Sequence, residues 1–239
     1  MNESERITFT QFQGLVDHVK KTAKQLIVKD KHIDMVAIYV NPDGGQHVTE
    51  MTPILQLAQR ALETSGKQAY NMVKNSLFTS IRVTARLSGA AGVVLVQEAW
   101  VAKLGKDDKE EIKAAEEGKL PQDMEGRREA IMVIWEFKSK RNGESISGKW
   151  GQYYKREGES VVLQEEALDD TGENEGRASD LLGSELPPDM IKHITDNMPP
   201  FLRNAFNRSC QEGECDGNCG GCNDEDEDEN QEESPDERG

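Results

Sequence analysis

The first 209 residues contain no cysteine; all four thiols lie between positions 210 and 222. A body stapled by disulfides is therefore excluded. No apolar run approaches the roughly 20 residues that a spanning helix needs, and the opening segment, residues 1–6, is too polar for a secretory leader. A reducing cytoplasm, with no membrane partner, is the expectation that follows. Histidine is scarce: His18, His32, His47 and His193 are the whole set, and no two stand at a ligand spacing. No glycine loop fits a phosphate-cradling turn or a dinucleotide-binding turn, and no Gly-x-Ser-x-Gly elbow occurs. These absences lean away from a standard enzyme.

Charge is plentiful but uneven. Of 45 Asp and Glu residues, 13 fall in residues 210–239, against one of the 29 Lys and Arg residues. The preceding 209 residues hold 32 acids and 28 bases, so the net charge of −16 belongs mostly to the tail. An acidic chain of this kind is not expected to bind nucleic acid. Only 35% of the residues are hydrophobic, which places part of the chain outside any core.

The run from Gly92 to Lys103 is β-branched and unbroken, with an apolar opening that predicts a strand buried on both faces. Beyond Val96 it alternates, placing Glu98, Trp100 and Ala102 on one side. Glu129–Lys138 has the same character and predicts its neighbour. Trp100 and Trp135 are both expected to be largely buried where this sheet meets a helical layer. Phe12, Leu15, Val16, Val19, Ala23, Leu26 and Ile27 step by threes and fours, predicting a first helix capped by Thr8 or Thr10. Ile33–Val40 and Gln46–Met51 flank the turn Asn41-Pro42-Asp43-Gly44-Gly45 and predict a hairpin. Two helices are expected near 53–63 and 67–87, parted at Ser65-Gly66, and a last strand pair at Ser147–Lys155 and Ser160–Gln164. The fold class is α+β: an antiparallel, or mixed, sheet of five to six strands with helices on one face. The boundaries expected are a domain over 1–166, a linker over 167–186, a short helical segment over 187–209, a cysteine knuckle over 210–222 and a disordered acidic tail over 223–239.

Three groups of residues bear on function. Cys210-x4-Cys215-x3-Cys219-x2-Cys222 can close a four-thiolate shell around Zn2+, with Gly213, Gly217, Gly220 and Gly221 permitting its tight turns. The spacing is neither a common zinc ribbon nor a ferredoxin run, so an iron–sulfur cluster or unligated thiols remain as alternatives. Glu136-Phe137-Lys138 with Asp123 upstream weakly resembles the acid…acid-x-Lys arrangement of metal-dependent nucleases, where carboxylates hold Mg2+ and lysine steadies water. Phe201, Leu202 and Phe206 form a compact stripe able to dock on a protein partner. Lys149-Trp150-Gly151-Gln152-Tyr153-Tyr154-Lys155-Arg156 interleaves aromatic and basic residues, and reads chiefly as a half-buried strand with cross-strand pairs. The resulting function is a non-enzymatic binding or accessory protein with a zinc knuckle. A hydrolase using Asp123, Glu136 and Lys138 is an alternative, as is an acidic tail that mimics nucleic acid toward a basic partner.

Val96-Gln97-Glu98-Ala99-Trp100, a charged excursion, then Arg127-Arg128-Glu129-Ala130 and another strand, with the hairpin and helix before them, resembles a group of uncharacterised small bacterial and phage α+β proteins. The resemblance covers about residues 30–165 and implies a bacterial or phage-infected cytoplasm. It carries no activity or site residue onto this chain, and the C-terminal helices and cysteines lie outside it.

Overall fold

The computed structural model describes residues 6–101, 113, 124, 126–138, 145–168, 178, 180–184 and 186–196. The chain divides into two compact units at the Leu186–Pro187 junction.

Helix α1, Phe9–Asp30, starts where Thr8 caps it: Thr8 Oγ1 accepts from Gln11 N at 3.3 Å, and Gln11 Oε1 accepts from Thr8 N at 2.8 Å. This reciprocal box satisfies two donors that a helix start otherwise leaves orphaned. Phe12, Val16, Val19, Ala23 and Ile27 form its buried stripe. Strands β1 (Val36–Val40) and β2 (Gln46–Glu50) make the expected hairpin. Its turn closes through Asn41 N to Gly45 O (2.8 Å), with Asp43 Oδ1 accepting from Gly45 N at 2.8 Å. Helix α2 runs over Thr52–Leu87 and breaks at Gly66 (φ 80°, ψ −171°), where the sequence places its gap; a side chain there would be strained. Strands β3 (Gly92–Val101), β4 (Arg128–Lys138), β5 (Ser145–Glu157) and β6 (Ser160–Leu168) follow. They join β1 and β2 in a six-stranded antiparallel sheet of order β2-β1-β3-β4-β5-β6. The α+β class and the antiparallel sheet stand as expected.

The layering differs from expectation. Side chains of β3 and β4 alternate, and both faces are covered. Val94, Val96, Ile131, Val133, Trp135 and Phe137 cluster with the α1 stripe. Val93, Leu95, Ala37, Tyr39 and Ile134 cluster instead with Leu77, Phe78, Ile81 and Ala85 of α2. The helices thus lie on opposite faces, because the run Val93–Val96 has no polar side to leave bare.

Trp135 is buried, its ring 6.0 Å from Phe9 and 6.2 Å from Phe12. Trp100 is not: it is 43% exposed, with the Arg127 guanidinium 5.4 Å from its ring. The expectation fails at Trp100 because burial lapses along β3 after Val96. Strand β6 extends to Leu168, and Leu181 and Leu182 are buried within the α2-side cluster. In the second unit, α3 (Pro188–Asp196) opens on a proline whose missing N–H costs nothing there, followed by Asp189 in the first turn.

Gly148 gives a close approach its function. A Cβ there would overlap the Trp135 indole, which Phe9 and Phe12 hold from above. Gly148→Ala is expected to lower unfolding free energy by about 1–3 kcal/mol, the usual range for overpacking, read as a lower urea midpoint at unchanged slope.

Candidate functional site

Charged side chains gather at the end of the sheet beside the C-terminus of α1. Glu98 shares a face of β3 with Val94 and Val96, and Tyr154 belongs to the same α1-side cluster. Glu98 Oε2 accepts from Tyr154 OH at 2.5 Å and from Arg156 at 2.9 Å. Its other oxygen accepts from Ile33 N at 2.7 Å and lies 2.8 Å from His32 Nδ1. Arg156 Nε donates to Glu129 Oε1 at 3.0 Å, and a terminal nitrogen donates to Lys31 O at 2.6 Å. Lys31 caps α1 in the left-handed conformation (φ 61°). The guanidinium therefore sits at the negative end of the helix dipole and supplies a donor that the last carbonyls lack.

The titration behaviour follows from this packing. Burial first, then the hydrogen bond to Glu98 and its charge, holds the Tyr154 phenol far above its ordinary range. The hydrogen bond that Arg156 donates to Glu129 leads the causes that raise Arg156 above an already high value. Chemically the cluster is closed. The Arg156 fork spans Glu129, Glu98 and the Lys31 carbonyl, so one guanidinium is shared between two carboxylates. It acts as a clamp joining α1, β3, β4 and β5.

Of the residues named for the alternative hydrolase, Glu136 and Lys138 lie within the described part of the chain. Glu136 is only 2% exposed, and its Oε2 accepts from Leu182 N at 3.4 Å inside the α2 face. Lys138 is exposed at the end of the same strand, and its backbone N donates to Ala91 O at 2.8 Å. Asp123 lies outside the described residues, as do Cys210, Cys215, Cys219, Cys222, Phe201, Leu202 and Phe206. Among the described residues no group of three His, Cys, Asp or Glu side chains could hold a metal ion, and no helix is long and apolar enough to cross a membrane.

The aromatic and basic run is divided by the pleat. Trp150 packs toward α1, with Lys24 Nζ 5.0 Å from its ring centroid. Tyr153 is buried, and the Arg128 guanidinium stacks 3.9 Å from its ring while donating to Glu166 at 2.7 Å. Two extra residues in β6 interrupt its register with β5 between Gln152 and Tyr154. The Gln152 amide fills that bulge, donating to Gln164 O at 2.6 Å and to Glu166 O at 3.3 Å. The run is a half-buried strand, not an open stacking platform.

Sequence reasoning did not find the clamp. Lys31 and Arg156 are 125 positions apart, and only strand register brings Glu98 and Glu129 near one another. The signal available was Glu98 continuing the α1-facing parity of Val94 and Val96. No family model, curated protein or solved structure matches this chain.

Arg156→Ala is expected to cost about 1–3 kcal/mol, because two half-buried carboxylates lose their charged donor. Arg156→Lys should restore less than half, since one ammonium cannot reproduce the fork; urea titrations of both variants decide this. A second expectation concerns Tyr39, which burial pushes up to about 12, a rise that the neighbouring Thr84 hydroxyl only partly opposes. Below the ordinary value of 10 the phenol is neutral in both states and its contribution is complete. Between 10 and about 12 the unfolded chain ionises while the folded one keeps its proton, so stability falls as pH rises. The urea midpoint should drop between about pH 9 and about pH 11, and drop less in Tyr39→Phe.

Proposed function

We propose that the protein is a non-enzymatic binding or accessory protein of the bacterial or phage-infected cytoplasm. Its α+β body carries a C-terminal segment with a zinc knuckle at Cys210, Cys215, Cys219 and Cys222. Phe201, Leu202 and Phe206 form the docking stripe for a protein partner. The observation that supports this reading is the closure of the body's charged cluster: Arg156 is shared among Glu98, Glu129 and the Lys31 carbonyl. Side chains spent on one another hold a scaffold together. Glu136, packed against the backbone of Leu182, is likewise withdrawn from the solvent that an open Mg2+ site would share.

The cysteine spacing supports the other half. Four thiolates within thirteen residues meet the tetrahedral demand of Zn2+, and ligation energy can order a segment that has little apolar material of its own. Purified full-length protein should carry about one equivalent of zinc by elemental analysis. EDTA should then make all four thiols alkylatable. Metal-free protein whose thiols already react would remove the knuckle from the proposal. Mg2+-dependent hydrolysis lost in a folded Glu136→Ala variant would replace the whole reading with a hydrolase.

A further inference from the structure

Between β6 and the second unit, residues 180–184, with 178 and 186 on either side, form a short strap on the body. Its leucines are deeply inserted: Leu181 is 0% and Leu182 7% exposed, in one cluster with Leu77, Phe78, Ile81 and Ile134. Gly183 (φ 68°) passes so close to α2 that a Cβ would come within 2.7 Å of Arg82 O. On the sheet side, Leu182 N donates to Glu136 Oε2, a polar acceptor buried among apolar side chains. The strap therefore fills a groove between α2 and β4 in which two leucine side chains, a glycine turn and one backbone N–H are each met by a feature of the wall.

The turn makes its own shape. Asp180 Oδ1 accepts from Ser184 N at 2.7 Å and from Ser184 Oγ at 2.6 Å, and Gly183 N donates to Asp180 O at 3.0 Å. The strap adds no strand to the sheet, and its hydrogen bond to Glu136 is long, at 3.4 Å. Side-chain insertion holds it in place, so it can leave without breaking a ladder. Nine residues, 169–177, separate it from β6.

We propose that the α2–β4 groove is a peptide-docking site, occupied in cis by the strap. The partner it fits is a protein that presents an Asp-Leu-Leu-Gly turn, which would displace the strap. This site is independent of the zinc knuckle, and either can fail without the other.

The test uses the full chain with Leu181→Ser and Leu182→Ser together, and a fluorescent peptide corresponding to residues 178–186. The double variant should bind the peptide. Wild type should bind at least about tenfold more weakly, because a tethered competitor acts at millimolar effective concentration. A peptide carrying Gly183→Ala should not bind, since its Cβ meets Arg82 O and its backbone disfavours positive φ. A folded double variant that ignores the peptide, or accepts the Gly183→Ala peptide equally, overturns the proposal. Should the double variant not fold, hydrogen exchange on wild type decides. The Leu182 and Ser184 amides should exchange at least about tenfold faster than those of Leu95 and Ile134, whereas equal protection would make the strap part of the core and end the idea.

Discussion

The need of one strand to be dry on both sides governs the architecture. Val93, Val94, Leu95 and Val96 are all 3% exposed or less, and a strand sends successive side chains to opposite faces. Neither face of the sheet can then be left to water, and one helical layer is not enough. Helix α1 covers one side with a stripe of five residues, and the C-terminal half of α2 covers the other. Burying a valine or leucine contributes on the order of 1.5–3 kcal/mol, so the four together outweigh any single polar contact described in this body. The clamp at the sheet end and the strap over Glu136 are later refinements of a sandwich that this constraint has already set.

Those refinements use polar chemistry in contrasting ways. At the sheet end, Arg156 gathers two carboxylates, a phenol and a helix carbonyl where solvent still reaches the guanidinium. Part of its electrostatic gain is therefore screened. Inside the α2 face, Glu136 has been taken almost wholly out of water and meets a backbone N–H at long range. A buried carboxylate so placed is expensive, and groups of that kind persist where they fix a position that apolar packing would leave loose.

Much of the fold could be read from the sequence because its elements are periodic and well punctuated. The capping box at Thr8 and Gln11, the Asn41–Gly45 turn and the Gly66 break are local features, decided by residues a few positions apart. Layering was not legible, since an amphipathic helix shows that it has an inner face but not which side of a sheet receives it. Trp100 was misjudged for a related reason: its hydrophobicity is intrinsic, while its exposure depends on how far α1 extends over β3. Leu181 and Leu182 were hidden in an acidic, glycine-bearing stretch whose average composition resembles a linker. The clamp was least visible, because it joins residues 31, 98, 129 and 156, which no spacing rule connects.

The bulge between β5 and β6 bears on what the sheet can become. Its most apolar strands, β3 and β4, occupy the interior of the order, far from either rim. On one rim β2 is only five residues long. On the other, the two extra residues of β6 and the Gln152 amide spend backbone carbonyls inside the molecule that a regular edge would show outward. The bulge leaves two short paired segments there, Ser160–Leu163 and Ala167–Leu168, with Glu159, Glu165 and Glu166 beside them. A neighbouring chain seeking to extend the sheet finds a template too short and too acidic to follow. A body rich in β structure is in this way protected from polymerising through its own edges.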